Sequence, residues 1–552
     1  MPTFKTPLIG SYNQRSLITP AGKDQFFKGC MFTRIVNQAS NSATYYTEKR
    51  PGASAFATPA SGSAGKWVHY DPLGLYHYSI FQSGTSQTVY QSNGSGSVNC
   101  GSFTANYVLQ GPVIQETLSG TTYVLFSTKD STQANQVSEC WYLPVDAPTN
   151  LTYTADGNNS TTISDIKISG VNSTAGLYPG QKLTAASNIV AGSRVVSVNS
   201  GAFTAVLDTA TTGGAFNDLS ITKEPIAKFT DADFPTAVSG GFAELDGYIF
   251  IADIYGKIYN SDLNSISSWT SGNYITASMY SDAMISVARN RNQLVAFGFK
   301  SIEHFYNAGN AAGSPLSSSG ALAIEQSAYM QTPLVIASIG GRAYWFSADK
   351  NIYTFEGASP KKINSQGVTV VTPLAMTPFT MNGCSYLNLT CSSPATTYWY
   401  CIDTGQWSEP NFSQSAVYSA DAVGLNAPFV MGGTAGKIYV VQSSAGLYQD
   451  DSSAFTMSCQ VATDMGTDKR KVYTALRVIG DTQSSGNLAV SYSDDGGASY
   501  STARNISMTT EDKRLHRLGS GKGTRLWKFE DSGNNACRVK MLEIDYEIED
   551  VS

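Results

Sequence analysis

Three stretches carry residue types at spacings that could do chemistry. Ser493-Asp494-Asp495-Gly496-Gly497-Ala498-Ser499-Tyr500 follows the Asp-box pattern S-x-D-x-G-x-[ST]-aromatic. Its fixed positions are Ser493, Asp495, Gly497 and Tyr500. In such a turn the Asp carboxylate accepts backbone N–H bonds and the aromatic packs beneath, a structural role. Gly519-Ser520-Gly521-Lys522-Gly523-Thr524 has the composition of a phosphate-cradling loop. It fails the pattern G-x-x-x-x-G-K-[ST], because Gly523 follows the lysine and His516 stands where the first glycine belongs. It reads as a flexible basic hairpin tip, with Lys522 and Arg525 as candidate contacts to an acidic partner or to DNA phosphate. Glu303-His304 places an acid beside a base, but strand alternation sends the two to opposite faces, so they are not an acid/base dyad.

The eight cysteines are Cys30, Cys100, Cys140, Cys384, Cys391, Cys401, Cys459 and Cys537, and there are only four histidines. No two cysteines form C-x-x-C, which argues against a zinc site and for reduced, buried thiols made in a cytoplasm. The reading assigns no catalytic, cofactor-binding or metal-binding residue. The start, Met1-Pro2-Thr3-Phe4-Lys5, has no apolar leader stretch, and no run approaches the length of a membrane span.

The elements that must position these residues are strands. The chain has 552 residues, with 31 Tyr, 24 Phe and 50 Gly, and only 14% charged residues. Aromatics suit pleated, half-buried surfaces and glycine suits tight turns, so the composition predicts an all-β protein of many short strands. Net charge is −6. That excludes the basic stripe of a nucleic-acid binder while remaining compatible with a conduit past which DNA slides.

One pattern returns: a polar turn, a strand, a turn, a strand. It appears at Asp246-Gly247 before Tyr248-Ile249-Phe250-Ile251, at Asn292 before Leu294-Val295-Ala296-Phe297, and at Gly341 before Ala343-Tyr344-Trp345-Phe346. Tyr398-Trp399-Tyr400 and Lys437-Ile438-Tyr439-Val440-Val441 continue it. A period of roughly 40–50 residues with about four strands marks propeller blades. On this reading Trp345, Trp399 and Trp407 are blade core. Residues 1–149 are N-terminal blades and 225–450 the remaining blades. Residues 150–224, rich in Thr, Ser, Ala, Asn and Gly with regular Val/Ile alternation, form a small β module inserted in a blade loop. Residues 451–552, denser in charge, form a separate β-sandwich-like domain for docking.

Leu294-Val295-Ala296-Phe297-Gly298-Phe299-Lys300-Ser301-Ile302-Glu303-His304-Phe305-Tyr306-Asn307-Ala308-Gly309 resembles a signature of the packaged-DNA stabilisation proteins of short-tailed phages. So does Tyr344-Trp345-Phe346 followed by Asn351-Ile352-Tyr353 and Gly357-Ala358-Ser359-Pro360-Lys361-Lys362-Ile363. Arg50-Pro51-Gly52 and the Ser491–Gly497 turn fit the same family. The inserted segment resembles the Ig-like or jelly-roll modules of phage virion proteins. The resemblance is best over 234–410. It implies a non-enzymatic tail hub or nozzle, a homohexamer forming a ring below the portal and adaptor proteins. Such a ring retains packaged DNA and serves as conduit for its ejection. It implies tail fibres or a tail needle as further partners, non-specific contact with DNA in the lumen, no membrane insertion, and residence in the virion after assembly in the host cytoplasm.

A competing reading starts from the Asp-box, which recurs in sialidase propellers, and from the abundant aromatics. It makes the chain a glycan-binding or glycan-cleaving propeller, for which placed carboxyls or a tyrosine nucleophile are required. A cellular lectin-like propeller is a third reading, disfavoured by the expected lack of a secretion leader.

Overall fold

A computed structural model of the chain describes residues 3–7, 25–37, 42–71, 76–132, 138–145, 151–280, 282–323, 332–363, 372–393, 395–412, 418–420, 428–442, 448–463 and 469–549. The described residues are almost entirely strand and turn, with one short 3-10 turn at Pro333–Val335.

The polar turns of the sequence repeat are hairpins. Asp246 and Gly247 both have positive φ, as do Gly340 and Gly341, Asn382 and Gly383, and Ser119 and Gly120. Two successive positive-φ residues make the turn whose twist matches that of the strands it joins, and Asn, Asp and Gly adopt it most readily. Each pair closes the first hairpin of a sheet. Val238–Leu245, Tyr248–Asp253, Lys257–Ser261 and Trp269–Thr276 pair in that order, all antiparallel. The same four-stranded meander recurs from Met284 to Ala323, from Ile336 to Lys362 and from Thr372 to Ser408. A further one runs from Ala64 to Thr104. Ile114–Leu118, Thr121–Asp130 and Ser138–Pro144 form another, completed by the end of Ala215–Lys228. The last comprises Tyr418–Ala420, Phe429–Met431 and Ile438–Val441, and its fourth strand is Ala53–Ala57. Successive small meanders with both faces buried are the units of a β-propeller, and that is the fold class, with an inserted β module and a C-terminal β-sandwich.

The chain divides into two compact units. One contains residues 59–362 and 434–436, the other residues 1–58, 363–433 and 437–552. Within the first, Tyr153, Ile163, Leu183, Val195, Leu207 and Ile221 form a core of their own, so the segment after 150 is a module as its alternation predicted. Its expected end at 224 falls inside the strand Ala215–Lys228. Residues 215–222 of that strand pair with Thr152–Asn158 in the module, and Ala227 and Lys228 pair with Tyr142 and Trp141 in the blade. One continuous strand therefore serves both.

In the second unit the expected assignment of residues 1–149 to blades is corrected. Thr3–Pro7 pairs with Arg538–Ile548, Gln25–Lys28 with Met457–Thr463, and Ser42–Lys49 with Arg538–Ile548. The N-terminal strands thus complete the two sheets of the C-terminal sandwich. The physical reason is burial. Cys30, Met31 and Phe32 share one core with Leu476, Val478, Trp527, Leu542 and Ile544, residues near the other end of the chain that carry no local signal of the pairing.

Arg50 holds this arrangement. It is fully buried and donates through Nη1 to Asp450 Oδ1 and to the Pro51 carbonyl, both at 2.8 Å, and through Nε to the Pro410 carbonyl. Its guanidinium stacks between Phe412 and Phe455, 4.2 and 3.9 Å from the ring centroids. Burial lowers its pKa and Asp450 restores part of it. Gly52 follows because a Cβ there would lie 2.2 Å from the Gln449 carbonyl oxygen. Removing one partner of a buried ion pair leaves an uncompensated charge, so Arg50→Met is expected to lower the unfolding free energy by about 3–5 kcal/mol, measured by denaturant unfolding. A loss below about 1 kcal/mol would refute this role.

Candidate functional site

The Asp-box turn forms as its sequence predicts, in the sandwich and not in a blade. Ser493 Oγ donates to Asp495 Oδ1 at 2.6 Å and accepts the Gly497 N–H at 2.9 Å. Asp495 Oδ1 accepts the Ser499 N–H at 3.0 Å, and Oδ2 accepts the Ser499 hydroxyl. These bonds from Ser493 and Ser499 hold the Asp495 carboxyl well below the usual range. Tyr500 donates its hydroxyl to Gln460 Oε1 at 2.8 Å. The side chains of Ser493, Asp495 and Ser499 are engaged in shaping the turn.

Lys522 and Arg525 separate. Lys522 is exposed, but not at a hairpin tip as expected: Ser520–Gly521 pairs with Lys471 and Val472 in one sheet and Arg525–Asp531 lies in the other, so Lys522 sits in the connection between two sheets. Arg525 is fully buried, and the expectation that it meets a partner or DNA phosphate is corrected. Its Nε and Nη2 donate to the two Asp494 oxygens at 2.7 Å each, and Nη1 donates to the Leu518 carbonyl at 2.7 Å. Tyr473 and Tyr492 stack on it at 3.9 Å. Strand alternation places Arg525 on the inner face, and adjacent Asp494 makes that burial tolerable, a pairing that no local spacing announces.

His304 and Glu303 also part, as alternation predicted. His304 Nε2 lies 3.0 Å from the Ala358 carbonyl oxygen and its ring packs on Phe355, while Glu303 accepts the Ser318 hydroxyl at 2.8 Å. Trp345 and Trp399 are core; Trp407 is half-buried.

A different acidic pair comes together without any motif. Glu116, Glu244 and Arg289 lie on strands of three sheets of the same unit. Burial, then the charge of Glu244, pushes the Glu116 carboxyl up to about 7, and Arg289 opposes the shift. Arg289 Nη1 pairs with Glu244 Oε2, and Glu244 Oε1 accepts the Gly247 N–H at 2.9 Å. A protonated acid beside an ionised carboxylate is the chemistry of a general acid and its partner. Here Glu244 also caps the Asp246-Gly247 hairpin, so one of the two carboxylates already has a structural task. Sequence separation of these residues hid them.

All eight cysteines are free and buried. The Cys30 and Cys459 sulfurs lie 3.3 Å apart between the sandwich sheets. In the inserted module Asp156, Asp165 and Asp218 converge, but Lys167 Nζ occupies their midst, at 3.3 Å from Asp218 Oδ1 and paired also with Asp165. Lys167 thus offsets part of the negative charge of that cluster. No helix among the described residues is long and apolar enough to cross a membrane.

No family profile and no curated protein matches the chain. Among solved structures, Raptor from Chaetomium thermophilum aligns at TM-score 0.36 and 10% identity, over 72% of this chain and 29% of its own length. BBS1N, solved in complex with ARL6DN, aligns at TM-score 0.35 and 9% identity, over 72% of this chain and 99% of its own. An exo-β-1,3-galactanase from Phanerochaete chrysosporium aligns at 0.26 and 13% identity, over 57% and 98%. At these scores none carries an argument, and the fold class rests on the sheet topology.

Two outcomes follow. Arg525→Ala is expected to destabilise by about 3 kcal/mol because it strands Asp494 and empties the tyrosine cage, whereas Lys522→Ala stays within about 0.5 kcal/mol; chemical denaturation distinguishes them. A raised Glu116 pKa means the folded state binds a proton that the unfolded state has released. Its contribution is fully present below about 4.5 and is lost as pH rises through about 7. Glu116→Gln therefore flattens the fall in stability across that window, read from melting temperatures over pH; an unchanged slope would refute the assignment.

Proposed function

We propose that this chain is a structural subunit of a short-tailed phage tail, a hub or nozzle that forms a ring below the portal and adaptor, retains packaged DNA and conducts it at ejection. The observation that carries the reading is where the family-like segments fall. Leu294–Gly309 spans the second and third strands of one sheet with the turn between them, and Tyr344–Ile363 spans the last three strands of the next. Arg50-Pro51-Gly52 is the buried clamp of the second unit. The resemblance thus rests on residues that build blades and their closure, as expected of a part whose task is a wall and not a reaction. The net charge of −6 supports weak contact with DNA in such a lumen. The ring would meet tail fibres or a tail needle and reside in the virion after assembly in the host cytoplasm.

A second reading, a glycan-cleaving propeller, is favoured by one observation, the raised Glu116 beside Glu244. The Asp-box does not favour it, since that turn lies in the sandwich.

The purified chain, alone and mixed with portal–adaptor complexes, is examined by electron microscopy and mass measurement. Six-fold rings, or decoration of the portal–adaptor, are expected; a monomer that joins neither overturns the proposal. Incubation with host polysaccharide is expected to release no reducing ends, and release abolished by Glu116→Gln would establish the second reading instead.

A further inference from the structure

The hairpin formed by Cys384–Ser393 and Ala395–Cys401 brings together two thiols that are far apart in sequence. Tyr386 pairs with Cys401, and the Ile402 N–H reaches the Ser385 carbonyl at 2.9 Å, so Cys384 and Cys401 are diagonal neighbours on one face. The chain then turns, with the Gly405 N–H on the Cys401 carbonyl at 2.9 Å, and this turn carries Asp403 back beside them. The two sulfurs and a carboxylate oxygen of Asp403 all lie within 4.8 Å of one another. Both cysteines are fully buried, whereas Asp403 is exposed, which gives the cluster a dry base and an open rim.

We propose that Cys384, Cys401 and Asp403 bind one thiophilic divalent cation of the zinc class, with water in the fourth position. Donors around tetrahedral zinc stand about 3.7 Å apart, given metal–sulfur bonds of about 2.3 Å, so closing the observed spacing takes shifts of about an ångström. Asp403 accepts the Ser385 N–H through Oδ2 at 2.7 Å, which orients the carboxylate and leaves Oδ1 for the metal. Thr404 lies against the Cys401 sulfur and favours its thiolate form, the form that binds a metal. The Arg34 charge is felt at Cys384 and offsets the excess negative charge of two thiolates and a carboxylate around a dication. Binding releases the two thiol protons to solvent, so affinity rises with pH. Without metal, the Cys384 proton is held by its bond with Cys401 and by burial, which pushes its pKa up.

The full chain, reduced and stripped with a chelator, is titrated with Cd²⁺ alone. One equivalent is expected to produce the ultraviolet thiolate-to-cadmium charge-transfer band, and Zn²⁺ is expected to displace it. The band is lost in Cys384→Ser and Cys401→Ser and survives in Cys459→Ser, which removes the other close sulfur pair. Where a buried serine variant fails to fold, Asp403→Asn decides. Its side chain is exposed, its circular dichroism is expected to match the parent, and its Cd²⁺ affinity is expected to fall at least about 10-fold. No band in the parent chain, a full band in Cys401→Ser, or unchanged affinity in Asp403→Asn overturns the proposal.

Discussion

A buried guanidinium fixes the architecture of the second unit. Arg50 satisfies its donors on Asp450, Pro51, Pro410 and Asn411, so residues near 50, 410 and 450 meet at one point. A buried charge tolerates no half-measures: with partners in place it fixes one arrangement, and without them it is strongly destabilising. Lys49, the preceding residue, is buried against Asp531 at 3.1 Å. Two adjacent cations therefore point into separate acidic partners, one in the strand that opens the 531–537 turn and one beside the last blade. The strand Ala53–Ala57 that enters that blade starts from this fixed point.

Around this clamp the sheets are built by repetition. The first hairpins at Asp246-Gly247, Gly340-Gly341, Asn382-Gly383 and Ser119-Gly120 are set by pairs of positive-φ residues, and the sheets are filled by aromatics, such as Phe379 stacked on Tyr386 with Trp399 tilted against both. Tyr386 does more than fill space. Its hydroxyl accepts the Phe32 N–H at 2.8 Å and donates to the Phe32 carbonyl at 2.5 Å, joining a sandwich strand to a blade.

What was legible in the sequence was local. Asp246-Gly247, Gly341 and the aromatic runs after them mark hairpins because the turn conformation and the alternation are set by neighbouring residues. The Asp-box was legible for the same reason, since the hydrogen bonds of Ser493, Asp495 and Ser499 all close within the motif. Arg525 was misread because its environment comes from Tyr492 and Asp494 at the end of one strand and from Tyr473 on another, all distant in sequence. The pairing of residues 3–49 with 457–548 was missed for a like cause: an alternating strand announces that it has a buried face and not which partner covers it. Glu116, Glu244 and Arg289 had no motif, and the Cys384–Cys401 pair escaped a search for close cysteine spacing because a hairpin, not a short loop, joins them.

The strand shared by the inserted module and its blade has a mechanical meaning. Ala215–Lys228 runs without interruption from one hydrogen-bonded ladder into another, so the two bodies have no swivel at this strand. A pull applied to the module travels down a covalent backbone held by ladders on both sides. To yield, those ladders must slide along their length and break many bonds at once instead of peeling one by one. Whatever grips the module therefore grips the blade, and an attachment made there is transmitted as tension into the sheet behind it.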